Sequence, residues 1–327
     1  MTSTPPLTRR RLVGSLLLAG LAPAARADSF PTRPLHLVVP FPPGGPTDLV
    51  ARPLAAQLGP VLGESLIVDN RGGAGGGIGA AFVAQSPPDG YTLLMGTVGT
   101  HAINASLYQH LDYDPVADFT PLALVASAPV AVVVDARSPW KTLADLVAAA
   151  RAKPKAVFFG SAGNGTPGHL TGAMFARAAH IQLQHVPYKG SAPALSDLLA
   201  GQFQVLFDPL QSVLPHIASG GLRALAVSGA RRAGVLPEVP TIAEQGYPGF
   251  ETTAWWAVFG PAHLPAAVVS TLEQAIARVV RAPAFSGGLE KMGVQIHTDP
   301  ALSLAAFQQA EIAKWRRAVH DAGVTLE

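Results

Sequence analysis

Two turns in this chain place chemically useful backbone beside helix starts. Phe41-Pro42-Pro43-Gly44-Gly45-Pro46-Thr47-Asp48 follows the apolar run Leu35–Pro40 and leads into helical spacing. Ser161-Ala162-Gly163-Asn164-Gly165-Thr166-Pro167-Gly168-His169 follows Ala156–Gly160 and leads into another helix-like segment. Glycine lets backbone N–H groups come close to a ligand. The first turn of a helix adds unpaired N–H donors and about half a positive charge. Thr166 ahead of Pro167 is a good helix cap. Two such turns facing one another would hold an anion without Lys or Arg. The candidate ligand residues are Phe41, Gly44, Gly45, Thr47 and Asp48 in the first turn, and Ser161, Asn164, Thr166 and His169 in the second. Thr97, Thr100 and His101, at the end of the run Tyr91–Gly96, form a candidate pocket wall. Asp208 before Pro209 faces a ligand hydroxyl or amine, or caps a helix, and His169 is open to the same two readings. Trp255 and Trp256 read as core or hinge aromatics rather than ligand stackers.

Other chemistries are poorly served. Gly75, Gly77 and Ala80 fit G-x-G-x-x-A in a third turn, Asn70–Ala80, and Gly163, Gly165 and Gly168 fit G-x-G-x-x-G. Neither is followed by a strand ending in an acid suited to a ribose, and no Gly-Lys-Ser/Thr is present, so no nucleotide cofactor is expected. The 10 His residues form no H-E-x-x-H, G-x-S-x-G is absent, and there is no Cys. Thiolate and disulfide chemistry are thereby excluded, and neither a metal nor catalysis is expected.

The elements needed to position these turns follow from the hydrophobic pattern. Leu35–Pro40, Ser65–Asp69, Tyr91–Gly96, Ala156–Gly160, Gln184–Pro187, Gln204–Phe207 and Arg223–Ser228 read as strands. Thr47–Leu58, Ile78–Gln85, Leu143–Ala152, Pro167–Ala179, Ala192–Ala200 and Pro209–Ser219 read as helices, the first with a Pro53 that threatens a kink. The alternation predicts an α/β fold with largely parallel sheets. After a strand at Thr253–Phe259 the chain turns helical, over Pro265–Arg281, Ala284–Lys291 and Leu302–Ala322. Val130–Asp135 and Thr253–Val258 bracket a central block and are expected to lie side by side as two hinge crossings. One lobe is then residues 28–131 plus 252–327, the other residues 132–251, with the ligand cleft between them.

The start of the chain reads as an export signal. Arg9-Arg10-Arg11 precedes a short apolar run, and Ala25-Arg26-Ala27 supplies a cleavage site after Ala27; the arginine pair fits the twin-arginine type. Residues 1–27 hold four Arg and no acid, so the remainder carries 19 basic and 21 acidic residues, a net of −2. With no basic block left, nucleic acid is not an expected partner.

With these motifs in order, the chain resembles the tripartite tricarboxylate transporter substrate-receptor family, also called the Bug family. The resemblance is carried by Pro34–Gly45, Thr47-Asp48, Pro88-Asp89-Gly90-Tyr91-Thr92-Leu93, Thr100–Asn104, Gly160–Thr166, His185–Gly190, Leu222–Val227 and Leu236–Thr241. It covers essentially the whole chain beyond residue 27. It implies a periplasmic-binding-protein type II fold and a monomeric, non-catalytic periplasmic receptor. Its ligand would be a small carboxylate, such as a di- or tricarboxylate, an acidic amino acid or an aromatic acid. Backbone N–H groups, hydroxyls and waters at the loops matching Phe41–Asp48 and Ser161–Thr166 would hold that ligand. The partners it implies are membrane transporter subunits or, alternatively, a sensor kinase. Asn70-Arg71-Gly72-Gly73 departs from the family's Arg-Pro-Gly, and Gly165–His169 departs from its small polar spacing.

Overall fold

The computed structural model describes Met1, residues 30–299 and residues 303–324. The export segment beyond Met1, its cleavage site and Leu302 therefore lie outside the described residues. In chain order the elements are β1 (Leu35–Val39), α1 (Pro46–Leu62), β2 (Leu66–Asn70), α2 (Gly77–Ala84), β3 (Thr92–Thr97), α3 (Asn104–Leu107) and β4 (Phe119–Asp135). Then come α4 (Leu143–Ala152), β5 (Val157–Ser161), α5 (Pro167–Ala178), β6 (Leu183–Pro187), α6 (Ser191–Leu199), β7 (Val205–Pro209), α7 (Leu210–Ala218) and β8 (Leu222–Val227). The chain closes with β9 (Thr253–Pro261), α8 (Ala266–Val280), α9 (Pro283–Glu290), β10 (Gln295–Ile296) and α10 (Leu304–Ala322).

The strands run in the order β2-β1-β3-β9-β4-β7-β5-β6, with β8 and β10 both pairing β4. β1 is parallel to β2 and β3, and β5 to β6 and β7, as βαβ units require. β9 and β4 run against their neighbours. The sheet is therefore mixed rather than largely parallel, because the two strands at its middle belong to no crossover unit. Apolar residues on both faces explain the near-continuous hydrophobic runs. Along β4, Val130, Val132 and Val134 enter one core cluster and Ala131 and Val133 another, the two-residue period of a strand.

β4 decides the architecture. Pro129 reads in sequence as an interruption, yet the strand continues through it for 17 residues. Its first part, from Phe119 to Pro129, pairs β9. Its second part, from Val130 to Asp135, pairs β7 and β8. The expected pairing of Val130–Asp135 with Thr253–Val258 is thus displaced by one strand segment: Thr253 lies opposite Pro129. Ser228 stitches this junction. Val130 N donates to Ser228 Oγ at 2.9 Å, and Ser228 Oγ donates to Thr252 O at 2.7 Å. Ser228 N donates to Val130 O at 2.8 Å, and Thr252 N donates to Ser228 O at 3.0 Å. One buried serine so ties Val130, the residue after the proline, to Thr252, the residue before β9.

α1 runs on through Pro53 and Pro60. Val50, Leu54 and Leu58 form a buried stripe on the core, and that packing sustains the helix where backbone hydrogen bonds are missing.

Candidate functional site

Four helices begin around one cavity. Pro46 opens α1 behind Gly45, Pro167 opens α5 behind Thr166, Ser191 opens α6 behind Gly190, and Leu210 opens α7 behind Pro209. All four cap residues line the cavity, together with Trp255 and Trp256 of β9. It is enclosed on most sides, and the space open to the centre of a water is about 40 Å³. One water needs roughly 10–15 Å³ on the same measure, so the cavity matches a few waters or a small solute. Among the described residues no Lys, Arg or His lines it, and Asp208 is the one ionisable side chain that does. Any positive character at such a wall would have to come from the helix starts.

The sequence candidates divide into those that line the cavity and those that brace the turns. Phe41, Gly45, Thr47, Thr97, Thr166 and Asp208 line it. Thr47 Oγ1 accepts from Trp256 Nε1 at 3.0 Å, which leaves the threonine proton free to donate inward. Thr166 Oγ1 donates to Gly163 O at 2.6 Å and accepts from His169 N at 3.5 Å, so it caps α5. Gly44, Asp48, Thr100, His101, Ser161, Asn164 and His169 are not among the lining residues.

Each of these has another task. Asp48 accepts from Gly44 N at 2.9 Å, Arg52 Nε at 2.7 Å and Asn70 Nδ2 at 3.0 Å. Asn70 also donates to Phe41 O at 3.0 Å, which ties β2 to the turn. Burial works to raise the Asp48 pKa, but the bonds from Arg52, Gly44 and Asn70 outweigh it and hold it below 3.8. Gly44 thus spends its N–H on Asp48, and its φ of +80° is what the turn asks of a glycine.

The second turn is braced without charge. Ser161 Oγ meets His185 Nε2 at 2.7 Å and accepts from Gly163 N at 3.2 Å. His169 Nδ1 accepts from Gly165 N at 3.3 Å, and the ring stacks on His185 at 4.1 Å. Burial lowers the pKa of His169 to about 4 and that of His185 to about 3, with the neighbouring His169 adding to the second shift. Asn164 meets the third glycine turn: a Cβ on Gly75 would lie 2.6 Å from Asn164 O, so only glycine lets the two turns touch.

Thr100 and His101 belong to the core. Thr100 Oγ1 lies 2.9 Å from His101 Nδ1, and the His101 ring stacks on Phe259 at 3.8 Å. Burial drops the His101 pKa to about 3. Their link to the cavity runs through Thr97, whose N donates to Thr100 Oγ1 at 2.9 Å. Sequence reasoning missed Gly190 and Ser191 and set Trp255 and Trp256 aside. A signal for the first pair was present: Val186-Pro187-Tyr188-Lys189-Gly190-Ser191 repeats the strand–glycine–helix order with a single glycine.

Comparison with known proteins settles the family. Residues 50–324 match the family model of the tripartite tricarboxylate transporter family receptor. This chain belongs to that family. A protein encoded in the tcbD–tcbE intergenic region of Pseudomonas sp. strain P51 is 39% identical over 315 residues, 95% of this chain and 94% of the relative. Protein BugT of Bordetella pertussis is 35% identical over 310 residues, 94% and 95% of the two chains. Among solved structures, R. palustris Rpa4515 with adipate superposes with a TM-score of 0.87 at 38% identity, covering 90% of this chain and 99% of that one. MatC from Rhodopseudomonas palustris with bound malate gives a TM-score of 0.85 at 33% identity, covering 89% and 100%.

Proposed function

We propose that this receptor captures a small dicarboxylate in the periplasm and presents it to the membrane subunits of a tripartite tricarboxylate-type transporter. The observation that carries this reading is the ring of four helix starts around a small cavity with no basic side chain. Such a wall suits the delocalised charge of a carboxylate and offers donors at fixed positions. The adipate and malate bound by the two solved relatives are of the same size and charge class. No catalytic step is assigned to the site, and the receptor acts as a monomer, made from a precursor cleaved after Ala27. Residues 28–131 with 252–327 form one lobe and residues 132–251 the other. Thr47 and Thr97 contribute from the first lobe and Thr166 and Ser191 from the second, so the anion completes its contacts only when the lobes meet.

A melting-temperature screen tests this. Malate, succinate, glutarate and adipate are compared with NAD and ATP. A ligand at a thousand times its Kd adds about 4 kcal/mol of stability, a clear upward shift. At least one dicarboxylate is expected to give it and neither nucleotide. A shift with a nucleotide and none with a carboxylate would overturn the receptor reading.

A further inference from the structure

Asp208 is out of place in an anion site. It is buried to 1% exposure, lines the cavity, and is the one ionisable side chain there. Its contacts resolve the contradiction. Ser191 Oγ donates to Asp208 Oδ1 at 2.8 Å. Ser212 Oγ lies against Asp208 Oδ2 and also 2.7 Å from Pro209 O. A serine hydroxyl has one proton, and a carbonyl and a carboxylate are both acceptors only. Ser212 cannot serve both. If its proton goes to Pro209 O, the contact with Asp208 needs a proton on the Asp208 carboxyl, which then donates to Ser212 Oγ. In that arrangement Asp208 Oδ1, Ser212 Oγ and Pro209 O each accept one proton, and the cavity wall carries no negative charge.

Among the described residues, no basic side chain lines the cavity to neutralise a carboxylate. Asp208 pairs Ala131 on β4, and it meets hydroxyls from α6 and α7. Gly168 of α5 packs on the adjoining Phe207 O, and Thr47, Thr97 and Trp256 lie across the cavity. The titratable groups of the packed elements, Asp135 on β4, His169 and Arg177 on α5, Lys189 before α6, Asp197 on α6 and His216 on α7, are not among the lining residues. Arg52, on the far side of the α1 turn, is engaged by Asp48.

We propose that dicarboxylate capture is linked to the uptake of one proton by Asp208, whose carboxyl is neutral when the anion is bound. This deepens the receptor reading and rests on it. Burial already brings the Asp208 pKa up to about 7. An incoming anion raises it further, because like charges disfavour ionisation. Affinity is then level below pH 6 and falls as pH rises through 7, the range in which the free receptor loses this proton.

Calorimetry of malate and adipate binding, in buffers of different ionisation enthalpy, counts the protons directly. For a free pKa near 7, the uptake per ligand is about 0.1 at pH 6, about 0.5 at pH 7 and about 0.9 at pH 8, and Kd rises about tenfold from pH 6 to pH 8. Asp208→Asn keeps the shape and removes the titration; its uptake is near zero and its Kd is level over the same range. Wild-type binding with no proton uptake at pH 8, or with proton release, overturns this proposal and leaves the receptor reading standing. A protein that binds no dicarboxylate of the panel at pH 6 sinks both.

Discussion

The β1–α1 turn and the β5–α5 turn share one order in sequence, strand then glycines then helix, yet they are held in shape by different physics. The first is clasped by an ionised carboxylate: Asp48 gathers Gly44, Arg52 and Asn70 on the side away from the cavity. The second is braced by neutral groups, with Ser161, His185, His169 and the Thr166 cap stacked and hydrogen-bonded to one another. In both, the side chains most suggestive of ligand chemistry are largely spent on the turn itself. What remains for a ligand is backbone and a few hydroxyls. The motif therefore marks the neighbourhood of the cavity better than the atoms that line it.

The sharpest way to break this contrast is Asp48→Ala. It strips three donors of their shared acceptor and should cost about 3 kcal/mol of stability, as lost hydrogen bonds to a charged group do. The urea midpoint reads this; a loss below about 1 kcal/mol would show that the ionic clasp does not hold the first turn.

Acid should separate the two turns next. His169 has a folded pKa of about 4 against 6.5 unfolded, so the unfolded chain binds more protons between those values. Its contribution is present above pH 6.5 and lost as pH falls toward 4. Asp48, whose folded pKa is depressed, keeps its contribution until the pH drops below 3.8. The stability gap between wild type and His169→Asn should therefore shrink by about 2 kcal/mol from pH 7 to pH 5, the linkage expected for one such group. A gap that does not change with pH would mean that His169 titrates in the folded protein as it does in the unfolded chain, and the neutral brace would be wrong.

The smallest effect tests backbone alone. A Cβ on Gly44 would meet nothing within 4 Å, so Gly44→Ala is charged only with the positive φ. About 1 kcal/mol of stability is expected to go, with ligand affinity nearly unchanged, since the Gly44 N–H already serves Asp48. A large affinity loss would put Gly44 in the site after all.

Much of this was legible in the sequence, and the failures have physical causes. Both turns, their flanking strands and their helices follow from apolar period and from Gly, Pro and Thr at fixed places. β4 was hidden because Pro129 looks like a breaker, and nothing local announces that Ser228, 98 residues from Val130 in sequence, holds the strand just past it. Thr97 and Asp208 lie at strand ends, where the α/β rule points. Thr100 and His101, only a few residues on, turn inward to Phe259, a partner that local spacing does not reveal. Gly190 escaped attention because one glycine is a weak signal, and Trp255 and Trp256 because fully buried indoles resemble ordinary core.

The proposed binding wall, made of helix starts, also has a hereditary consequence. Backbone N–H groups are present whatever the side chain, Pro excepted, so few single substitutions can delete an anion contact outright. Drift at positions such as Ala162, Ala192 or Ala254 changes the room inside while the donors stay in place. A lineage built on this plan can move from one acid to another by resizing the chamber, with no intermediate that has lost its hold on the carboxylate.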